Sequence, residues 1–239
     1  MSTLLLRLAG PMQAWGDASR FTQRLTDTAP TKSGVVGLLA AARGLRRTDP
    51  LEELLAIRFG VRIDQPGRIE RDLQTARTAD GKHAFPLTDR YYLTDAAFVA
   101  AVNGPPELIA ALEYAVQHPV FPLYLGRRSC VPQEPLCLGV RQAPIWPALA
   151  DEPWHAARWW RIRQAKTVDL EVRIDREAAP AAIHTDWRTS VKDAPVSFDP
   201  RLRQWRAREV VRGQVTVNNP DGSQAMAPIH DPIAVLGGG

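Results

Sequence analysis

The sequence predicts an α+β fold, and three observations carry that prediction. Short apolar runs of strand length alternate with stretches whose apolar residues recur at helical spacing. Prolines and glycines punctuate them, at Gly10-Pro11, Gly44, Asn103-Gly104, Pro119 and Gly126. With 45% hydrophobic and 23% charged residues, 239 positions supply core enough for one large domain or two small ones.

Residues 3–9 read as a strand central in a sheet, stopped by Gly10-Pro11. A long loop follows, carrying Gln13, Trp15, Ser19, Arg20, Gln23 and Arg24. Loops of that length between regular elements are frequently functional. A helix opens at Pro30-Thr31-Lys32-Ser33-Gly34, with Thr31 or Ser33 as its cap and Val35, Val36, Leu38 and Leu39 on its face. Its first turn offers free backbone amides beside Lys32, an end suited either to an anion or to plain capping.

Residues 50–56 predict a short second helix and 57–64 a strand. Between 65 and 90 the periodicity dissolves. Arg71, Thr75, Arg77, Lys82 and His83 are scattered around the hairpin signal Asp80-Gly81, which predicts an inserted β-hairpin arm with basic edges. A strand over 91–102 is turned by Asn103-Gly104, a helix runs to His118, and a last strand covers 136–142. Strand, helix, strand, strand, helix, strand is the ferredoxin-like (RRM-like) βαββαβ order of RNA-recognition folds, assigned here to residues 1–145.

Between the second long helix and the last strand lies Leu123-Tyr124-Leu125-Gly126-Arg127-Arg128-Ser129-Cys130. Gly126 lets the backbone approach a neighbour closely or take positive φ. Arg127 and Arg128 present planar charged forks that fit phosphate oxygens, and Ser129 adds a hydroxyl. The same residues equally describe a strand-linking turn with two solvated arginines. After Arg141 the composition shifts, with a linker at Trp146-Pro147 and Asp151-Glu152-Pro153. Residues 146–217 then predict a small, mostly β second unit dense in tryptophan and arginine, and 218–239 a loose tail. Interleaved Trp and Arg suit base stacking, a protein interface or ordinary packing.

Of the 30 basic residues 26 are arginine, and the pI is near 9.4, a skew that fits nucleic-acid contact. Cys130 and Cys137 have no second pair and no nearby histidine. They predict no zinc site but two reduced thiols of a cytoplasmic protein. No apolar run reaches membrane-spanning length, and the first residues lead into a strand rather than a signal peptide.

Three segments together resemble the CasD subunits of type I-E CRISPR Cascade, within the repeat-associated mysterious protein (RAMP) superfamily. They are Leu6-Arg7-Leu8-Ala9-Gly10-Pro11-Met12-Gln13-Ala14-Trp15-Gly16, Pro30-Thr31-Lys32-Ser33-Gly34-Val35-Val36-Gly37-Leu38-Leu39 and Tyr124-Leu125-Gly126-Arg127-Arg128-Ser129-Cys130. The resemblance implies a non-catalytic subunit without cofactor or metal, which caps the 5′ handle of the CRISPR RNA (crRNA). Its partners would be that RNA, the backbone and large subunits of Cascade and, indirectly, target DNA, with no membrane. The three segments would converge on the handle, and the arm would act as a thumb toward neighbouring subunits. The rival class is a metal-independent endoribonuclease of CRISPR repeat RNA. Lys82-His83 with a tyrosine such as Tyr91 is the one cluster offering base, acid and cation.

Overall fold

A computed structural model describes residues 2–16, 23–181, 183 and 188–222. In chain order the first half comprises β1 (Ser2–Ala9), β2 (Met12–Gln13), β3 (Gln23–Arg24), α1 (Lys32–Ala42), α2 (Glu52–Leu55) and β4 (Arg58–Gln65). There follow β5 (Arg68–Gln74), β6 (Thr88–Thr94), β7 (Ala97–Gly104), α3 (Pro106–Gln117) and β8 (Cys137–Arg141). The remainder comprises α4 (Ile145–Asp151), α5 (Arg158–Arg161), β9 (Thr167–Asp175), β10 (Arg188–Ser197) and β11 (Gln204–Asn218). The chain is therefore mixed α+β, built on antiparallel sheet.

β1 is apolar on both faces because both are covered. Leu4, Leu6 and Leu8 enter one core with α1 and α3, while Leu5 enters a second core with Val99, Ala101 and α4. The strand order across this region is β4-β7-β1-β8, every neighbouring pair antiparallel. β9 then pairs with the free edge of β4, β11 with β9 and β10 with β11, completing a seven-stranded sheet. The β strands expected in a small second unit at 146–217 thus extend the first sheet instead of forming their own.

A buried pair fastens this extension. Arg62 and Asp64 lie two apart on one face of β4, both wholly buried, joined at 2.7 Å. Arg62 also donates to the carbonyls of Leu149, Glu152 and Pro153, and Asp64 accepts from the amide of His155 at 2.7 Å. The pair is satisfied by its own two bonds and by α4 and the segment that leaves it, and removing one partner from such a pair typically costs about 3–5 kcal/mol.

Four local expectations are corrected. The strand expected over 91–102 is broken at Asp95, whose φ of 55° turns the chain from β6 into β7. Asn103-Gly104 does not turn: both residues stay in the ladder, paired with Thr3 and Ser2, and Pro105, lacking an amide, ends it. Trp146-Pro147 is no linker but the first turn of α4, where a missing N–H costs nothing. The tail also starts later than residue 218. Asn219 is 4% exposed and its side-chain amide donates to the carbonyls of Arg161 and Ala165, both at 2.8 Å.

Candidate nucleic-acid interface

Three segments far apart in the chain meet at Ala14 and Trp15. The Trp15 indole lies on Gly34, where a Cβ would come within 2.8 Å of the ring. Gly126 has φ +85°, and a Cβ there would run into the Ala14 carbonyl oxygen. The Ala14 amide donates to the Leu125 carbonyl at 3.1 Å, closing the glycine loop onto β2. Both glycines thus permit contacts that any side chain would forbid. The contacts are with the chain itself.

Beneath them, Gln13 and Trp15 are 0% and 1% exposed. The Gln13 amide donates to the carbonyls of Leu8 (3.1 Å) and Ala96 (2.8 Å), and its oxygen accepts from the Trp15 indole N–H at 2.9 Å. Their buried polar groups are satisfied internally, so these two residues shape the surface from below and offer none of their own. Ser19 and Arg20 lie outside the described residues.

The two adjacent arginines have different fates. Arg127 folds back over the Tyr92 ring, 4.7 Å from its centroid, and donates to the carbonyls of Tyr91 (3.0 Å), Arg24 (2.7 Å) and Leu25 (3.3 Å). It clamps the loop to β6 and to the end of β3. Arg128 and Ser129 are exposed beside it, and Tyr124 is half-buried. No carboxylate partners Arg128 among the described residues.

The start of α1 is occupied as well. The Thr31 hydroxyl caps it, accepting from the Gly34 amide at 3.2 Å, with the Ser33 hydroxyl 3.5 Å away. The anion at this end is the Asp193 carboxylate of β10, which accepts from the Lys32 amide at 2.7 Å. Lys32 turns to Asp175 at 3.0 Å with its side chain 11% exposed. Arg208 joins the two aspartates, reaching Asp175 and Asp193 at 2.6 Å each. Burial opposes its charge, yet hydrogen bonds and charge from Asp193, then Asp175, raise its pKa above the ordinary arginine value. Lys32, assigned from sequence to an RNA phosphate, is thus held in an internal ion network.

What faces outward around the junction is basic. Arg24 of β3 is exposed and pairs in parallel register with Arg90 of β6, so two cations share one face of neighbouring strands. On its other side Arg90, itself half-buried, stands opposite Asp72 of β5, so an acidic residue shares that face. Sequence reading placed Arg24 in the loop but missed Arg90, because only the β3–β6 pairing brings the two together.

The arm forms as expected: β5 and β6 pair antiparallel from Arg68↔Thr94 to Gln74↔Thr88, with a further bridge Arg77↔Ala84. Thr78 and Asp80 organise the tip. The Thr78 hydroxyl and the Lys82 amide both donate to Asp80, holding its carboxyl below the ordinary value. Arg71, Thr75, Arg77, Lys82 and His83 are exposed along it. Lys82 and His83 sit beyond the Arg77↔Ala84 bridge, whereas Tyr91 pairs with Arg71 well down the ladder, so the nuclease trio does not gather. Burial raises the Cys130 and Cys137 thiols, both free, above their ordinary pKa and makes them poor nucleophiles. Among the described residues no cluster of His, Cys, Asp and Glu is arranged to hold a metal, and no helix is long and apolar enough to cross a membrane.

Residues 3–212 match the family described as CRISPR-associated protein (Cas_Cas5). The chain belongs to this Cas_Cas5 family. It is 41% identical over 162 residues to the CRISPR system Cascade subunit CasD of Escherichia coli (strain K12), spanning 59% of this chain and 72% of that one. A chain of a solved CRISPR RNA-guided surveillance complex is 32% identical with a TM-score of 0.74, over 98% of this chain and 97% of its own. A solved Cas protein is 34% identical with a TM-score of 0.65, over 93% and 98%. The motif residues divide by partner: Gln13, Trp15, Thr31, Lys32, Gly34, Gly126 and Arg127 are engaged by other parts of the chain, while Arg128 and Ser129, like Arg24 of β3, are exposed.

Proposed function

We propose that the chain is a non-catalytic RNA-binding subunit of a Cascade-type surveillance complex, capping the 5′ handle of crRNA at the surface over the Trp15 junction. One observation carries this reading. Three motifs converge on a glycine-dependent junction with exposed Arg24, Arg128 and Ser129 at its surface, and neither arginine has a side-chain partner among the described residues. Such a surface suits a handle held by its phosphates and splayed bases. Kinship with the Cascade subunit CasD and with a chain of an RNA-guided surveillance complex supports it. The strand order β8-β1-β7-β4, with α1 and α3 on one face, supports a ferredoxin-like reading of the first 145 residues.

The arm would serve as a thumb toward the guide and the adjacent backbone subunit. Ile69, Leu73, Phe85 and Leu87 are each more than half exposed on it, an apolar set with no core to join. Contact with target DNA would come only through the guide.

The test is binding of labelled handle RNA by the purified chain, with a scrambled RNA of equal length as control and both scored for cleavage. Tighter binding of the handle, with both RNAs intact, is the expected result. Equal affinity for the two would sink the handle reading, and site-specific cleavage lost in His83→Ala would replace it with the endoribonuclease.

A further inference from the structure

The β10–β11 hairpin shows two kinds of basic residue. At its base Arg208 is held by Asp175 and Asp193, and through Asp193 the hairpin is bonded to the first amide of α1. From the level of Arg208 to the turn, Lys192, Val196, Arg203, Gln204, Trp205 and Arg206 line an open depression. Lys192, Arg203 and Arg206 are exposed, and no carboxylate partners any of them among the described residues. Trp205 is 37% exposed, and Pro195 stands opposite it in register, so the indole is backed by a stiff neighbour.

Uncompensated cations at one end of a hairpin repel each other, and a polyanion is the counterpart that relieves them. An exposed indole among them adds a surface on which a base can stack whatever its identity. An acidic protein would satisfy the cations but leave a flat indole without a matching face. A sugar-phosphate chain bearing splayed bases satisfies both.

We propose that the outer end of the β10–β11 hairpin is a second contact for single-stranded RNA, with Trp205 stacking on a base and Lys192, Arg203 and Arg206 meeting phosphates. The choice of RNA rests on the proposed function; the stacking and charge arguments do not. The stacking part of the contact is sequence-tolerant, because every base has a π-face. The hairpin that carries it is bonded through Asp193 to the start of α1, one of the three segments at the junction.

The full-length chain is tested with labelled oligo-uridine, oligo-thymidine of equal length and handle RNA. Trp205→Ala is compared with the triple variant Lys192→Ala/Arg203→Ala/Arg206→Ala, each checked for an unchanged melting temperature. Oligo-uridine binding should weaken about ten-fold in Trp205→Ala, within the range for one stacked base. In the triple variant the slope of log affinity against log salt should fall by about 2, from three phosphates at roughly 0.7 each. Trp205-dependent oligo-uridine binding without any preference for the handle would leave this contact standing and remove the handle reading. Oligo-uridine affinity unchanged in both variants overturns the contact, whether or not the handle is preferred. It is equally overturned if the loss is confined to oligo-thymidine. Variants that bind RNA normally but fail to join the assembled complex would make the patch a protein contact instead.

Discussion

The junction under Trp15 and the arm at 65–90 draw on the same residue types and use them in opposite ways. In the junction, polar and charged side chains are turned inward: Gln13 serves two carbonyls and an indole, and Arg127 three carbonyls and a ring. In the arm, apolar side chains are turned outward, with Phe85 56% and Leu87 63% exposed. Polarity alone therefore does not tell a binding residue from a supporting one in this chain. Partners do: Arg127 is held by segments 36 to 103 positions away, whereas Arg128 has no side-chain partner among the described residues.

The largest expected effect breaks the junction. Gly126→Ala forces a Cβ onto the Ala14 carbonyl in a left-handed backbone and should destabilise the chain by about 3 kcal/mol or more, read by urea denaturation. A loss below about 1 kcal/mol would show that the loop can lift off β2 freely. Next comes Gln13→Leu, which leaves the Trp15 N–H and two carbonyls without partners in a buried site. It should cost about 1–3 kcal/mol, and a neutral result would mean that water reaches the site.

The arm sharpens the contrast from the other side. Excising residues 72–86, closed by a short Gly-Ser link, should change stability by under about 1 kcal/mol, because it removes no buried apolar side chain. Assembly with partner subunits should nevertheless fall sharply on size-exclusion chromatography. A deletion chain that still assembles normally would remove the thumb role.

Much of this was legible in the sequence, and the failures have a common cause. Apolar runs and proline or glycine stops located β1, α1, β4, α3 and β8 because those signals are local. Asp80-Gly81 located the arm tip for the same reason. Gly126 was legible as a site of close approach, but whether to a ligand or to Ala14 was not. Arg127 and Arg128 are indistinguishable in sequence; the carbonyls that capture Arg127 come from β6 and the end of β3. Lys32 read as waiting for a phosphate because its counter-ions, Asp175 and Asp193, lie some 140–160 positions on. Nothing in the sequence singled out Arg62 and Asp64, two apart on a strand; only α4 and its exit segment reveal their face as core.

Neighbouring motif residues are expected to divide into supports held by the chain and exposed residues that meet RNA. Arg127 and Arg128 test it most directly, each replaced by alanine and measured for both urea stability and the salt dependence of handle-RNA affinity. Arg127→Ala should lose about 1–2 kcal/mol of stability through its charged hydrogen bonds to Tyr91, Arg24 and Leu25. Arg128→Ala should keep its stability and lower the slope of log affinity against log salt by about 0.7, one phosphate on a single strand. The reverse pattern, a stable Arg127→Ala chain with the lower slope and an Arg128→Ala chain that binds RNA like the wild type, would contradict the division.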